Sequence, residues 1–337
     1  MMDVGVLTHH LAPLRPLLDQ AGVTELVINR PGELAVEKSD GWHWDEVPKL
    51  TLEWLSTLGT AAAGFTKQDI HAGNPICSTS LPGGERVQLV MPPATPAGGY
   101  SITIRKPSSR TFAMEELEAG GLFDNTKVAL GRNRDANDEL LALKEAGQWR
   151  QFLELAVQAK KNILISGATG SGKTTLSKAL MQTIPSEERL LTIEDTRELT
   201  VPHRNVVHML YSKDGQGQAK IGPKQLLEAS LRMRPDRILL QELRDGTAFF
   251  YLRNVNSGHP GSITTVHSDS AALAFEQLTL LVKESEGGRD LGRADIRSLL
   301  GLLVDVVVQT KKVDGRFRVT EIYFEPGTEA HPQATPA

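Results

Sequence analysis

The sequence has 337 residues, of which 40% are hydrophobic and 23% charged, and its formal net charge is −4 at pH 7. This length predicts two domains, large enough to bury cores without disulfide support. The net charge shows no global basic bias toward nucleic acid. The single cysteine, Cys77, excludes an internal disulfide and a four-cysteine zinc module, and it fits a reducing cytoplasm.

The chain shows no targeting or membrane-spanning pattern. Its first residues lack the basic start and continuous apolar stretch of a signal peptide. Nowhere do about 18 apolar residues follow one another, so no transmembrane helix is expected. Peripheral contact with a membrane stays open.

Residues 1–108 predict a small mixed α+β domain. Leucines at helical spacing favour a helix at the start, and short alternating runs around turn residues are typical of half-buried strands. The predicted helices are 6–20 and 52–65, and the predicted strands are 26–28, 34–36, 85–91 and 100–105.

The pattern weakens between the two halves. Glycine, aspartate and asparagine are scattered through charged sequence there, so we expect residues 109–149 to form a linker with short helical pieces, able to act as a hinge or swap arm. Connections of this length are usually functional or mobile. Residues 326–337, which contain proline and alanine, are expected to be a disordered tail.

Residues 150–325 alternate between short apolar runs and helix-like stretches. That alternation predicts an α/β domain around a parallel, doubly wound sheet. The predicted strands are 162–166, 190–194, 237–241, 262–266, 304–310 and 316–324.

The clearest motif is Gly-Ala-Thr-Gly-Ser-Gly-Lys-Thr at 167–174, which matches the phosphate-binding loop pattern completely. Its glycines let successive N–H groups converge on phosphates, and the following helix adds a favourable dipole. Lys173 would contact the β- and γ-phosphates, and Thr174 would ligate Mg²⁺. The predicted nucleotide contacts are Gly167, Ala168, Thr169, Gly170, Ser171, Gly172, Lys173, Thr174 and Thr175.

Carboxylates follow two other predicted strands. Glu194, Asp195 and Glu198 come after one strand, where they would hold Mg²⁺ through water, orient the attacking water, or merely cap the strand end. Glu242 directly follows another strand, and a carboxylate there can accept a proton from water. Gln241 stands where the usual aspartate would be, so the metal role moves toward Glu194 or Asp195.

A histidine and several arginines complete the candidate site. His267 ends a small strand, where it would sense the γ-phosphate, although a lone histidine is more often structural. Arg105 ends an alternating strand before Pro107 and would reach nucleotide from outside the second domain, although single arginines are more often solvated. The further basic candidates are Arg86, Lys106, Arg110, Arg132 and Arg134.

Four blocks in this order resemble the secretion traffic ATPases. The Walker A loop, Asp box, Walker B strand and His box of that family are similar to GATGSGKT, TIEDTREL, RPDRILLQELRD and GHPGSITTVHSDS here. The stretches LVINRPGELAVE, SLPGGERVQLVMPP and SITIRKPSSRTF resemble the N-terminal domain of the VirB-type subfamily, which serves type IV secretion and conjugation.

The resemblance implies a C-terminal RecA-like domain and a homohexameric ring that hydrolyses ATP with Mg²⁺. It implies that Glu198 and Glu242 handle metal and water, that His267 lies near the γ-phosphate, and that Arg105 reaches the nucleotide. Position 241 departs from the family, which more often has glycine or alanine there. The expected partners are other components of a membrane secretion machine at the cytoplasmic face of the inner membrane.

The predicted function is therefore an ATP-hydrolysing hexameric motor for type IV secretion, conjugative transfer or pilus assembly. A nucleic-acid-binding P-loop motor is the main alternative, although no specific nucleic-acid site is evident. A small-molecule kinase is a second alternative, which phosphate release without an acceptor would exclude.

Overall fold

The computed structural model describes residues 4–107, 111–124, 126, 134–212 and 217–326. Its first half is built on a six-stranded antiparallel sheet in the order β3-β2-β1-β6-β5-β4. The strands are β1 (Glu25–Ile28), β2 (Glu33–Lys38), β3 (Gly41–Glu46), β4 (Ile76–Ser80), β5 (Arg86–Val90) and β6 (Ser101–Arg105). The helices here are α1 (Val4–Leu11), α2 (Arg15–Leu18) and α3 (Leu52–Phe65).

The leucines of the first helices are buried against α3 and the sheet. The single helix predicted over 6–20 is wrong: the chain forms α1 and α2, because Pro13 lies between them and cannot donate a helical hydrogen bond. Strands β3 and β4 were not predicted, since β3 is half-exposed and both are rich in polar or aromatic residues. The Thr51 side chain caps α3 by accepting from the N–H of Trp54.

The second half holds a mostly parallel sheet. Three strands run in the order β10-β8-β9 and four in the order β11-β7-β12-β13, and a parallel bridge between Glu242 and Thr265 joins the two groups. Only β13 is antiparallel to its neighbour. The strands are β7 (Ile163–Ser166), β8 (Leu190–Glu194), β9 (Val206–Leu210), β10 (Arg237–Leu240), β11 (Ile263–Val266), β12 (Val306–Val313) and β13 (Arg316–Phe324).

The remaining helices belong to the second half of the sequence or to the segment that precedes it. They are α4 (Met114–Ala119), α5 (Arg134–Glu145), α6 (Trp149–Gln158), α7 (Lys173–Met181), α8 (Pro223–Ser230), α9 (Thr247–Asn256), α10 (Ala271–Glu284) and α11 (Arg293–Leu303). The predicted α/β class is confirmed. Strand β9 was not predicted, because His208 interrupts its short apolar run. No helix in the described ranges is long and apolar enough to cross a membrane.

Part of the predicted linker packs against the second half. In α5, Leu140 is fully buried in the same cluster as Phe152 of α6, and Lys144 donates to the carbonyl of Phe324 at 2.8 Å. The domain limits themselves stay a prediction. Residues 327–337 lie outside the described residues, so the prediction of a disordered tail over 326–337 stays a prediction.

A buried arginine joins the two halves. Arg189, which directly precedes β8, is fully buried, and its guanidinium donates to Asn29 at 2.7 Å and to Thr103 at 3.3 Å. Asn205 also accepts from Arg189 and binds Asn29 at 3.0 Å. The N-terminal sheet therefore lies against the edge of the second sheet where its parallel strands begin.

Candidate active site

The predicted site residues come from strand ends that share one edge of the second sheet. Strands β7, β8, β10 and β11 are parallel, so the residues that follow them lie at the same edge. The phosphate-binding loop follows β7, Glu194 ends β8, Glu242 follows β10, and His267 follows β11. The order of strands thus gathers four sequence-distant segments.

The loop itself has the backbone shape that its glycines permit. Gly170 and Gly172 have φ values of 72° and 93°, a region that other residues rarely adopt. At Gly167 there is no room for a side chain, because a Cβ atom would lie 2.5 Å from the carbonyl oxygen of Thr310. Helix α7 begins at Lys173, so its N–H groups and dipole face the loop, as anion binding requires.

Lys173 is buried and turns back onto its own loop. Its amine donates to the carbonyl oxygens of Gly167 at 2.8 Å and Ala168 at 3.0 Å. Burial lowers the pKa of Lys173, and the nearby carboxylate of Glu242 opposes that shift. The amine therefore lies inside the phosphate-binding loop, with protein oxygens as its present acceptors.

Lys173, His267 and Glu242 form one row of polar atoms. The Lys173 amine is 3.4 Å from Nδ1 of His267, and Nε2 of His267 is 2.8 Å from Oε1 of Glu242. The ring nitrogen and this oxygen are close enough for an ion pair, but within the described part of the chain the buried Oε1 accepts no hydrogen bond. The structure thus leaves one carboxylate oxygen of Glu242 without a donor beside the phosphate loop.

Glu194 has a different environment. It is fully buried, and its carboxylate accepts from the backbone N–H groups of Glu198 and Leu199 at 2.7 Å each and from the Thr192 hydroxyl at 2.8 Å. Burial would raise the pKa of Glu194, but hydrogen bonds from His208 and from these groups hold it below its ordinary value.

Both oxygens of Glu194 already accept protein hydrogen bonds, which supports a capping role, while its predicted metal role, partly through water, stays a prediction. Glu194 caps the loop that follows β8, which is the capping alternative that the sequence left open. The side chain of Glu198 is exposed, and that of Thr174 is half-buried in the first turn of α7. Mg²⁺ usually takes only one or two protein ligands beside phosphate oxygens and water, and a hydroxyl or a carboxylate of the kind these two side chains carry is chemically suited to that role.

An arginine that the sequence analysis did not single out links the two acidic segments. Arg244 donates to Glu242 Oε2 at 2.7 Å and to Asp195 Oδ2 at 2.8 Å. The Asp195 N–H also donates to the side-chain oxygen of Gln241 at 3.3 Å. Sequence reasoning missed this arrangement because Asp195 and Arg244 lie 49 positions apart.

The hairpin of β12 and β13 bounds the loop on the other side. The Thr310 hydroxyl donates to the backbone carbonyl of Ser166 at 3.0 Å. The same hydroxyl lies 2.9 Å from the hydroxyl of Ser171. The ring of Phe317 lies so close to Gly172 that an added Cβ would be 3.0 Å from it. Phe317 is 58% exposed, and no sequence motif marks it.

The structure does not bring Arg105 to the phosphate loop. Arg105 ends β6 and lies 3.6 Å from Glu25, beside a cavity of about 860 Å³ that Arg86, Lys106 and Arg234 also line. Arg234 precedes β10, so this cavity lies at the opposite edge of the second sheet. Burial raises the pKa of Glu25 to about 7, although Arg105 acts to lower it.

The structure does not test the linker arginines. Arg110 and Arg132 lie outside the described residues, and Arg134 is the first residue of α5. The choice between Arg132 and Arg134 as a second arginine that reaches the nucleotide stays a prediction.

Comparison with known proteins identifies the family. The model of the type II/IV secretion system protein family matches residues 10–314. The type IV secretion system protein VirB11 of Bartonella henselae is 52% identical over 334 residues, which cover 96% of this chain and 94% of the relative. The PtlH homolog of the type IV secretion system of Bordetella bronchiseptica is 43% identical over 326 residues, covering 95% of this chain and 96% of the relative.

A solved structure is similar along nearly the whole chain. The crystal structure of the VirB11 ATPase from the Brucella suis type IV secretion system, in complex with sulphate, superposes with a TM-score of 0.91 at 44% identity and covers 96% of this chain and 95% of its own. The fold, the phosphate loop and these relatives agree: this chain belongs to the type II/IV secretion system protein family, in its VirB11 group of type IV secretion ATPases.

Proposed function

We propose that this protein is the Mg²⁺-dependent ATPase subunit of a homohexameric ring that energises type IV secretion, conjugative transfer or pilus assembly. The observation that carries the proposal is the row Lys173–His267–Glu242 beside a complete phosphate-binding loop. A row of this kind, with a cation for phosphate and a carboxylate for water, suits hydrolysis of a nucleoside triphosphate.

The residues divide the reaction between them. The loop N–H groups and Lys173 bind the β- and γ-phosphates, for which Lys173 exchanges its carbonyl acceptors for phosphate oxygens. The donorless oxygen of Glu242 accepts a hydrogen bond from the attacking water and orients it toward phosphorus. His267, between Lys173 and Glu242, would lie beside the terminal phosphate. When bound, Mg²⁺ held by Thr174 and Glu198 would neutralise charge on the phosphates.

The position of the acids and the hairpin also orients the nucleotide. Glu242 and His267 follow β10 and β11, on one side of β7, and β12 lies on the other side. Since the terminal phosphate lies toward the acids, the base extends toward the hairpin. The exposed ring of Phe317 is available there for stacking.

Substitution of Glu242 by glutamine tests the hydrolytic step. The amide keeps the shape but cannot accept the proton, so ATP binding should persist while phosphate release falls by roughly 10²-fold or more, the range of general-base contributions. A glutamine variant with turnover within a few-fold of the native protein would move the water-orienting role to Glu198.

We propose that Arg105 acts on the nucleotide of a neighbouring subunit. Arg105 lies near the edge of the second sheet that is opposite to its own phosphate loop. Heterologous contacts close subunits into rings, so this surface of one subunit can meet the next subunit. An arginine supplied across such an interface stabilises phosphoryl-transfer charge.

Mixing two inactive variants distinguishes the neighbouring site from the chain's own. Lys173→Ala and Arg105→Ala subunits in one ring would restore sites that combine an intact loop with a neighbour's Arg105. Recovery of ATP hydrolysis on mixing supports action between subunits, and no recovery in verified mixed rings contradicts it. Native mass measurement with a non-hydrolysable ATP analogue tests the ring itself, which a monomer at full activity would refute.

The proposed location is the cytoplasm, at the inner face of the membrane that holds the other secretion components. Release of the protein from membranes by high salt would support peripheral attachment, because surface electrostatic binding is screened by salt. Salt-sensitive binding to DNA, with turnover that requires DNA, would instead favour the nucleic-acid motor.

A further inference from the structure

We propose that Arg244 and Gln241 form a clamp that fixes the Asp195–Glu198 loop to the strand end carrying Glu242. In this role Arg244 is a positioning residue: it acts on water and metal only through the carboxylates that it holds. The inference rests on the proposed ATPase function and adds two residues to its machinery.

The first part of the clamp is the guanidinium of Arg244. Both Nε and Nη2 lie 2.7 Å from Glu242 Oε2, and Nη1 lies 2.8 Å from Asp195 Oδ2. A guanidinium presents its donors in a rigid plane, unlike the mobile ammonium of lysine. One side chain therefore sets the distance between two carboxylates that would otherwise repel each other.

The second part is the side chain of Gln241. Its oxygen accepts from the backbone N–H of Asp195 at 3.3 Å, while the backbone of Gln241 is held by the Thr265 hydroxyl, which donates to its carbonyl at 3.0 Å. Glycine or alanine at this position could not make the contact with Asp195. Gln241, the residue that departs from the family pattern, thus binds the backbone of Asp195, while Arg244 binds the side chain of Asp195.

The clamp determines which oxygen of Glu242 meets the substrate. Because Arg244 occupies Oε2, the carboxylate turns Oε1 toward His267 and the phosphate loop. The same loop is fixed further along by Glu194, which accepts from the N–H groups of Glu198 and Leu199. Glu198 is therefore presented from a loop that is anchored at both ends.

Steady-state kinetics of clamp variants tests the proposal. Arg244→Gln should lower kcat about ten-fold or more, while the KM for ATP stays within about two-fold, because the phosphate loop and Lys173 are unchanged. Gln241→Ala should raise the Mg²⁺ concentration for half-maximal activity with a smaller fall in kcat. Arg150→Gln is the matched control: Arg150 forms an arginine–carboxylate pair with Glu154 at 2.9 Å on the surface, and its loss should change neither constant by more than about two-fold.

A double-mutant cycle separates positioning from a general structural role. Because Arg244 binds Asp195, the effects of Asp195→Asn and Arg244→Gln on kcat should not add. Additive effects, or an Arg244→Gln kcat within about two-fold of the native value, would overturn the clamp. Should Arg244→Gln fail to fold by circular dichroism, Arg244→Lys and Gln241→Ala decide by the same constants. Absence of phosphate release by the native protein would instead refute the proposed function.

Discussion

Both edges of the second sheet, where its parallel strands begin and where they end, carry charged side chains, but the partners of these charges differ. Where the parallel strands begin, Arg189 and Arg237 are fully buried. Arg237 donates to both oxygens of Glu188 at 2.7 and 2.9 Å and to the carbonyls of Val157 and Gly261 at 2.9 and 3.1 Å. Where the strands end, the Lys173 amine donates to two carbonyls of its own loop and lies 3.4 Å from Nδ1 of His267, and Oε1 of Glu242 accepts no hydrogen bond from the described part of the chain.

This difference separates charges that hold the fold from charges that serve a substrate. A buried charge is costly unless other groups compensate it. Arg237 has its complete compensation within the chain, so its partner is the protein itself. At the other edge, the charges of Lys173 and Glu242 are only partly compensated within the chain, and a phosphate and a water would complete this compensation. That edge is therefore the binding site.

Lys173→Ala should show the largest effect and the sharpest contrast between the edges. Loss of the amine removes charge stabilisation at the transferring phosphate, so ATP turnover should fall by at least about 10²–10³-fold. The fold should be preserved, because no other side-chain charge depends on the amine as its sole partner. Malachite-green phosphate release and thermal melting measure both. Near-native phosphate release by this variant would refute the assignment of the active edge.

Arg237→Ala should reverse that contrast. It leaves Glu188 buried without its main partner, and breaking a buried pair from one side costs about 3–5 kcal/mol in the free energy of unfolding. Urea denaturation measures this, with the exposed pair of Arg150 and Glu154 as the comparison, where loss of the arginine should cost about 0–1 kcal/mol. Equal costs for the two arginines would show that Arg237 holds the fold no more strongly than an exposed arginine does.

Phe317→Ala should have the smallest effect and refines the active edge. Loss of base stacking on an aromatic ring costs about 1 kcal/mol at the lower end of the known range, so the KM for ATP should rise several-fold with kcat nearly unchanged. Binding of inorganic triphosphate, which has no base, should not change. A parallel loss of triphosphate affinity would show that Phe317 supports the loop rather than the base.

The sequence predicted best what is contiguous along the chain. The phosphate loop occupies eight successive residues, and Glu242 and His267 directly follow apolar strands, so local pattern and strand order suffice to bring them together. The capping role of Glu194 could not be chosen from the sequence, because it depends on how the next five residues turn back onto its carboxylate.

What the sequence did not predict depends on contacts between distant segments. Phe317 reaches the loop only because the β12–β13 hairpin packs beside β7. The position of Arg105 follows from the way Arg189 fastens the first sheet to the second, which no motif near Arg105 records. Such long-range packing sets side-chain positions that neither periodicity nor spacing encodes.

The hydrogen bonds of Lys173 within its own loop have a consequence for the rate at which the site exchanges nucleotide. Because the amine donates to the carbonyls of Gly167 and Ala168, a phosphate that binds the amine exchanges places with these two acceptors, and a phosphate that leaves is replaced by them. A lysine amine with no other acceptor would slow the release of the product phosphate. Here two carbonyl oxygens can accept from the amine as the phosphate leaves. Internal acceptors for the amine are therefore expected to favour release of the phosphate at the expense of its affinity.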